Sequence, residues 1–219
     1  MRSAPITLLF LLAGIEGVFA GSAGRSSSAG REIVREMNLA RQHPDVYARH
    51  LEELRGRFRG KILVLPGKTM LHTREGVDAV EEGIRFLHNQ RPLPALAFSA
   101  GIARAAAEHV AEQADGSLGH EGSDRSDPGA RMNRHGSWSG RWGENISYGK
   151  TNARDIVIAL IIDDGLRGRK HRKNIFNPQF NVAGAALGPH ARYRTVCSID
   201  FAGGYVEDFS ASRSLVARN

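Results

Sequence analysis

The sequence predicts a mixed α+β domain: helix-period apolar patterns run from about residue 31 to 114, and strand-type alternation appears only near the end. Tyr193, Thr195, Cys197, Ile199 and Phe201 alternate as one strand. Phe180 to Gly188 reads as a second, joined to the first through Gly188-Pro189-His190-Ala191 as a hairpin. With 219 residues, 41% of them hydrophobic and 24% charged, the chain suits one domain with its own core.

The chain opens with Arg2, a mostly apolar stretch from Ile6 to Ala13, and Val18-Phe19-Ala20. This is the pattern of a secretory signal cut after Ala20, so residues 1–20 are read as a signal peptide and the protein as exported or extracellular. A membrane anchor fits less well, because the apolar core is short and Glu16 lies near its end. Residues 21–30, rich in Gly, Ser and Ala, read as a flexible linker. The domain proper spans 31–204, and the polar residues 205–219 read as a flexible tail.

Ile33, Met37 and Ala40 mark the buried face of a first helix, which Pro44 interrupts. Val46, Tyr47, Leu51 and Leu54 continue as a second. Arg57 to Thr73, with glycines around Ile62-Leu63-Val64-Leu65, suits a short strand or a surface loop. Glu75 to Asn89 repeats apolar residues at helical spacing and stops at Arg91-Pro92-Leu93-Pro94. Ser99 is placed to cap a helix from Ala100 to about Ala114. Asp115 to Gly143 is punctuated by turn residues and reads as the longest irregular segment, followed by a short connector over Glu144 to Tyr148. Asn152 and Asp155 form a capping-box-like start to an apolar segment, Ile156 to Ile162, that must be deeply buried. Gly165 to Lys173 reads as a basic turn.

The formal net charge of +7 survives removal of residues 1–20, since Arg2 and Glu16 cancel, and it draws the protein toward anionic surfaces. No aromatic platform accompanies Arg167, Arg169, Lys170, Arg172 and Lys173, so that run reads as a solvated turn rather than a nucleic-acid surface. Cys197 is the only cysteine, so no intramolecular disulfide forms, and it reads as a small buried hydrophobe. His109 falls beside the apolar face of its helix and reads as a structural histidine. There is no G-x-S-x-G elbow and no phosphate loop, and the residue four after His120 is Asp124, so HExxH is absent too. No later stretch is long and apolar enough for a transmembrane helix.

Four short motifs occur in order: Asn38-Leu39-Ala40-Arg41, Gly119-His120 with Gly122-Ser123-Asp124, Gly143-Glu144-Asn145-Ile146, and His171-Arg172-Lys173-Asn174-Ile175-Phe176-Asn177-Pro178. Together they resemble the CAP superfamily of cysteine-rich secretory, antigen 5 and pathogenesis-related 1 proteins, also called the SCP domain, in a disulfide-free branch. The resemblance implies a three-layer α-β-α sandwich with a central antiparallel sheet and a cleft of two histidines and two acidic residues. By position these are His120, Glu144, His171 and Asp163, with Asp164 the competing choice for the last.

Two imidazoles and two carboxylates in one cleft could hold zinc or another divalent ion through His120 and His171, with no metal obligatory. They could equally form a hydrogen-bonded cluster that pins loops to a helix. No catalytic signature is complete, which favours a non-catalytic binding module for a small ligand, lipid-like or anionic. The alternative is a metal-dependent hydrolase or peptidase in the same cleft, with His120 and His171 as ligands and Glu144 as base.

Overall fold

A computed structural model describes residues 16–67 and 70–208, with side chains from residue 28 onward. Most of the expected signal (residues 1–15) and residues 209–219 of the expected tail lie outside these. The first helix, α1 (Glu16–Gln42), takes in residues 21–30, the stretch read as a linker. Gly30 explains why its C-terminal end belongs to the domain. A Cβ there would sit 2.0 Å from the Ala185 carbonyl oxygen, so the helix lies against the sheet at a point only glycine allows.

Pro44 divides α1 from α2 (Pro44–Arg55), sitting in the first turn of α2 where its missing N–H costs nothing. Three two-residue strands follow, β1 (Phe58–Arg59), β2 (Ile62–Leu63) and β3 (Leu71–His72), paired antiparallel as a small separate sheet. Then come α3 (Val77–Asn89), β4 (Ala97–Phe98) and α4 (Ala100–Glu112). Ser99 caps α4 as its sequence position implied, accepting a hydrogen bond from Ile102 N at 3.1 Å.

The segment expected to be irregular holds regular structure. It contains α5 (Pro128–Met132) and most of β5 (Gly136–Tyr148), and Glu144 to Tyr148 is the buried half of that strand rather than a connector. Beyond it lie α6 (Ala153–Ile162), capped by Asn152, and α7 (Lys170–Ile175), which makes a helix of the end of the expected basic turn. The final hairpin is β6 (Val182–His190) and β7 (Arg194–Glu207). Strand β7 continues to Glu207 into the expected tail, with Tyr205 opposite Trp138 on β5.

The main sheet has the order β4-β6-β7-β5, antiparallel except where the short β4 runs parallel to β6. Helices cover both faces. Alternation along β7 sends Cys197, Ile199 and Phe201 into one core with α1, α2, α3 and α6. The other face meets α4 and α5, where Ile102, Ala105 and Met132 pack on Ala202, and Ala106 and Val110 on Ala186 and Val196. This is the α-β-α sandwich the motifs implied. Among the described residues no helix is long and apolar enough to cross a membrane.

The Asn38-to-Arg41 motif ties these layers together. Asn38 exchanges two hydrogen bonds with the backbone of Leu96. Arg41 is buried and donates to four carbonyls, those of Pro94, Ile175, Asn177 and Phe180. A buried cation without a carboxylate is tolerated because its donors are distributed over carbonyl dipoles, although burial lowers its pKa.

Candidate functional site

Strand β5 is an edge strand, and its alternation splits the site between two faces of the sheet. Glu144 lies opposite Asp200 on the α4/α5 face, while Asn145 lies opposite Ile199 on the face toward α6 and α7. Each face carries one histidine–carboxylate pair.

On the first face Glu144 has a side chain only 1% exposed, beside the fully buried guanidinium of Arg131. Its Oε2 accepts hydrogen bonds from Arg131 at 2.8 Å and from the Ser198 hydroxyl at 2.9 Å. Its Oε1 stands 2.6 Å from Nδ1 of His120, whose side chain is 56% exposed. An ionised carboxylate can only accept, so Nδ1 carries the proton and a neutral His120 ring offers its Nε2 lone pair outward.

The loop bearing His120 is held from several directions. Arg131 donates to the His120 carbonyl at 3.1 Å, Gln113 to that of Gly119 at 2.6 Å, and His190 to that of Ser117 at 3.0 Å. His109 is structural as expected: it is buried, with Nδ1 3.2 Å from Glu112 and Nε2 2.8 Å from the Gln113 amide.

On the second face, Asp163 ends α6 in the left-handed conformation (φ 56°). Its Oδ2 accepts the His171 N–H at 3.0 Å and its Oδ1 stands 2.7 Å from His171 Nδ1. The same tautomer follows, with Nε2 facing away from the acid. Asp164 points elsewhere, accepting the N–H groups of Arg74 and Glu75 at 2.7 and 2.8 Å. Between Asp163 and Asp164, the former is therefore the partner of His171. The buried Asn145 donates to the His171 carbonyl at 3.0 Å, and Asn174 donates to the Glu144 carbonyl at 3.2 Å and to Asn145 Oδ1 at 2.8 Å. These bonds fasten α7 to the edge of β5. With Asn145 fully enclosed, the Asn145-Ile146-Ser147 glycosylation pattern has no acceptor at the surface.

Four expected residues thus form two pairs bridged through the backbone of β5. Among the described residues no three His, Cys, Asp or Glu side chains come together as a metal-binding group. Carboxylate-backed imidazoles with an outward Nε2 suit a metal in kind. In number they fall short, since His120 and His171 supply two nitrogens and both acids are engaged by their own partners.

Three further participants had been given no site role. Arg131 and Ser198 complete the shell of Glu144. Asp200 is fully buried, and no donor reaches either of its carboxyl oxygens. Burial foremost, then the Glu144 charge, raises its pKa well above the ordinary 3.8, while Arg131 opposes the rise. Its neighbour Glu144 is another acceptor, so Asp200 is satisfied only when it carries a proton to donate.

A helix-covered sheet whose edge strand is flanked by two carboxylate-backed histidines, one on the loop before α5 and one on α7, is a three-layer α-β-α protein of the SCP type. The model of the cysteine-rich secretory protein family, CAP, matches residues 35–201, and the chain belongs to that family. No curated protein matches. Among solved structures, the chain is similar to an extracellular protein containing an SCP domain from Bacillus anthracis, at 22% identity and TM-score 0.41 over 57% of this chain and 37% of that one. An outer surface protein of Borrelia burgdorferi matches at 14% identity and TM-score 0.43, over 53% of this chain and 80% of that one. A cysteine-rich secretory protein of Staphylococcus aureus matches at 15% identity and TM-score 0.36, over 58% and 38%. The matches therefore span well under half of the Bacillus and Staphylococcus chains.

Proposed function

We propose that this chain is an exported, non-catalytic binding module that receives a small lipid-like or anionic ligand along the edge of β5, between His120 and His171. One observation supports the reading above others: every oxygen of Glu144 and Asp163 already accepts a hydrogen bond, while each histidine turns Nε2 away from its acid. Acids engaged in this way orient the imidazoles. The acid side chains are also buried, at 1% and 2% exposure, which counts against Glu144 as the water-activating base of a hydrolase. The outward imidazole edge accepts a ligand hydroxyl when neutral and donates to a ligand carboxylate or phosphate when protonated. The net charge of +7 supports residence beside anionic surfaces.

The test is equilibrium binding of a fluorescent fatty acid and a fluorescent sterol to the purified chain, with copurifying lipid identified by mass spectrometry. His120→Ala and His171→Ala are each expected to weaken binding about tenfold, the scale of one lost hydrogen bond to a charged group. Absence of copurified lipid and of binding to both probes overturns the lipid reading. Zinc-stimulated cleavage across a peptide and ester panel, abolished by His120→Ala, would replace it with the hydrolase.

A further inference from the structure

A pocket of about 400 Å³ opens between α3 and α7, where Lys173 and Arg167 face Phe86 and Glu82. Its lining has four cationic side chains and two carboxylates, and the carboxylates are already committed. Arg169 donates all five of its N–H groups: two to Glu75, two to Glu82 and one to the Asp163 carbonyl. Arg172 donates to the other oxygen of Glu82 at 3.0 Å and to the Ile161 and Ile162 carbonyls at the end of α6. Its guanidinium lies 5.1 Å over the Phe86 ring. Every carboxylate oxygen of the wall is therefore engaged by a fixed arginine.

Arg167 and Lys173 remain. Both are exposed, and neither forms an ion pair among the described residues. Between the arginines Gly168 has φ 91°, and the space a Cβ would occupy is open, so no side chain screens the backbone there. Although the Arg167 charge is felt by Glu75, the wall carries four cations to two carboxylates, and this excess concentrates positive potential where an anion can enter. A guanidinium offers planar paired donors to phosphate oxygens, and an ammonium adds a compact charge.

We propose that this pocket is a second binding site, for a phosphate group held between Arg167 and Lys173, either as the free ion or as a lipid headgroup. The volume exceeds that of phosphate alone and lies within the range of small-molecule sites, leaving room beside Phe86 for what the phosphate is attached to. The site is independent of the reading given for the β5 edge. His171 is turned to Asp163, Arg172 to the end of α6 and Lys173 to the pocket.

The experiment titrates inorganic phosphate into the ¹⁵N-labelled chain and, in parallel, measures binding to phosphatidylcholine vesicles with and without phosphatidic acid. Saturating amide shifts at Gly168, Arg169 and Lys173 with phosphate assign a free-ion site. Binding only to phosphatidic acid vesicles assigns the headgroup. In either case Arg167→Ala/Lys173→Ala is expected to weaken binding at least about tenfold, the scale of a lost charge-assisted bond. The double variant keeps its unfolding midpoint, because both side chains are exposed. Arg167→Gln/Lys173→Gln repeats the measurement with side-chain volume retained. Binding to neither probe, or equal affinity in both double variants, overturns the proposal.

Discussion

Glu144 and Asp200 lie opposite one another on β5 and β7, yet neutralising each is expected to move stability in opposite directions. Glu144→Gln takes the counter-charge from Arg131, whose guanidinium is fully buried. Breaking a buried pair from one side costs about 3–5 kcal/mol, which for a domain of this size lowers the unfolding midpoint by on the order of 10 °C. Asp200→Asn removes a carboxyl that no donor reaches and supplies an amide that can donate to Glu144. Its pH dependence has a definite sign. Because the folded pKa of Asp200 is raised above the ordinary 3.8, the folded state holds the proton more tightly than the unfolded one. The group therefore favours folding at low pH, and that contribution is lost as pH rises from about 3.8 through the folded value, at up to about 1.4 kcal/mol per pH unit. Asp200→Asn abolishes this loss, so the variant gains on the wild type as pH increases from 4 to 7. Urea unfolding of both proteins at several pH values measures the difference directly. Parallel stability profiles, or a neutral-pH loss in Asp200→Asn equal to that in Glu144→Gln, would refute the reasoning.

Two further substitutions test how the layers are joined. Ser99→Ala removes a hydroxyl that accepts from Ile102 N and donates to Glu207 at 2.6 Å, and is expected to cost about 1–2 kcal/mol in thermal or urea unfolding. An unchanged midpoint would show that α4 needs no cap. Gly30→Ala drives a Cβ into the Ala185 carbonyl and is expected to cost about 1–3 kcal/mol in urea. A gain of about 0.4–1 kcal/mol, the usual result of stiffening an unhindered glycine, would mean that α1 does not press on β6 there.

The longer helices were legible because their signals are local, whereas the short α5 and α7 fell in segments read as a loop and a basic turn. Ser99 and Asn152 sit where caps belong, and the apolar residues of α3 and α4 recur at helical spacing. Strand β5 was hidden for the same reason. Its outer half is exposed Gly, Ser, Arg and Trp broken by a register shift between Ser139 and Trp142, and its buried half carries Glu144, Asn145 and Ser147. Hydrophobic periodicity cannot detect a strand whose enclosed residues are polar. Asp200, between Ile199 and Phe201, looks like the solvent-facing member of an alternating strand, and would be if α4 and α5 did not cover that face. Histidines 120 and 171 were found through motifs. Ser198 reaches Glu144 from 54 residues away and can be assigned only once β5 and β7 are paired, and Arg131 only once α5 is seen to pack on β5.

Cys197 lies wholly inside β7, facing the core of α1 and α6, and burial pushes its thiol pKa upward. As the chain's one cysteine, it gives this protein an internal clock for opening. A thiol reagent can reach the sulfur only when the hairpin of β6 and β7 parts from its helices. The rate of alkylation in native buffer therefore reports how often the sandwich separates, without any introduced label. The same enclosure keeps the sulfur chemically silent toward oxidants while the fold is closed.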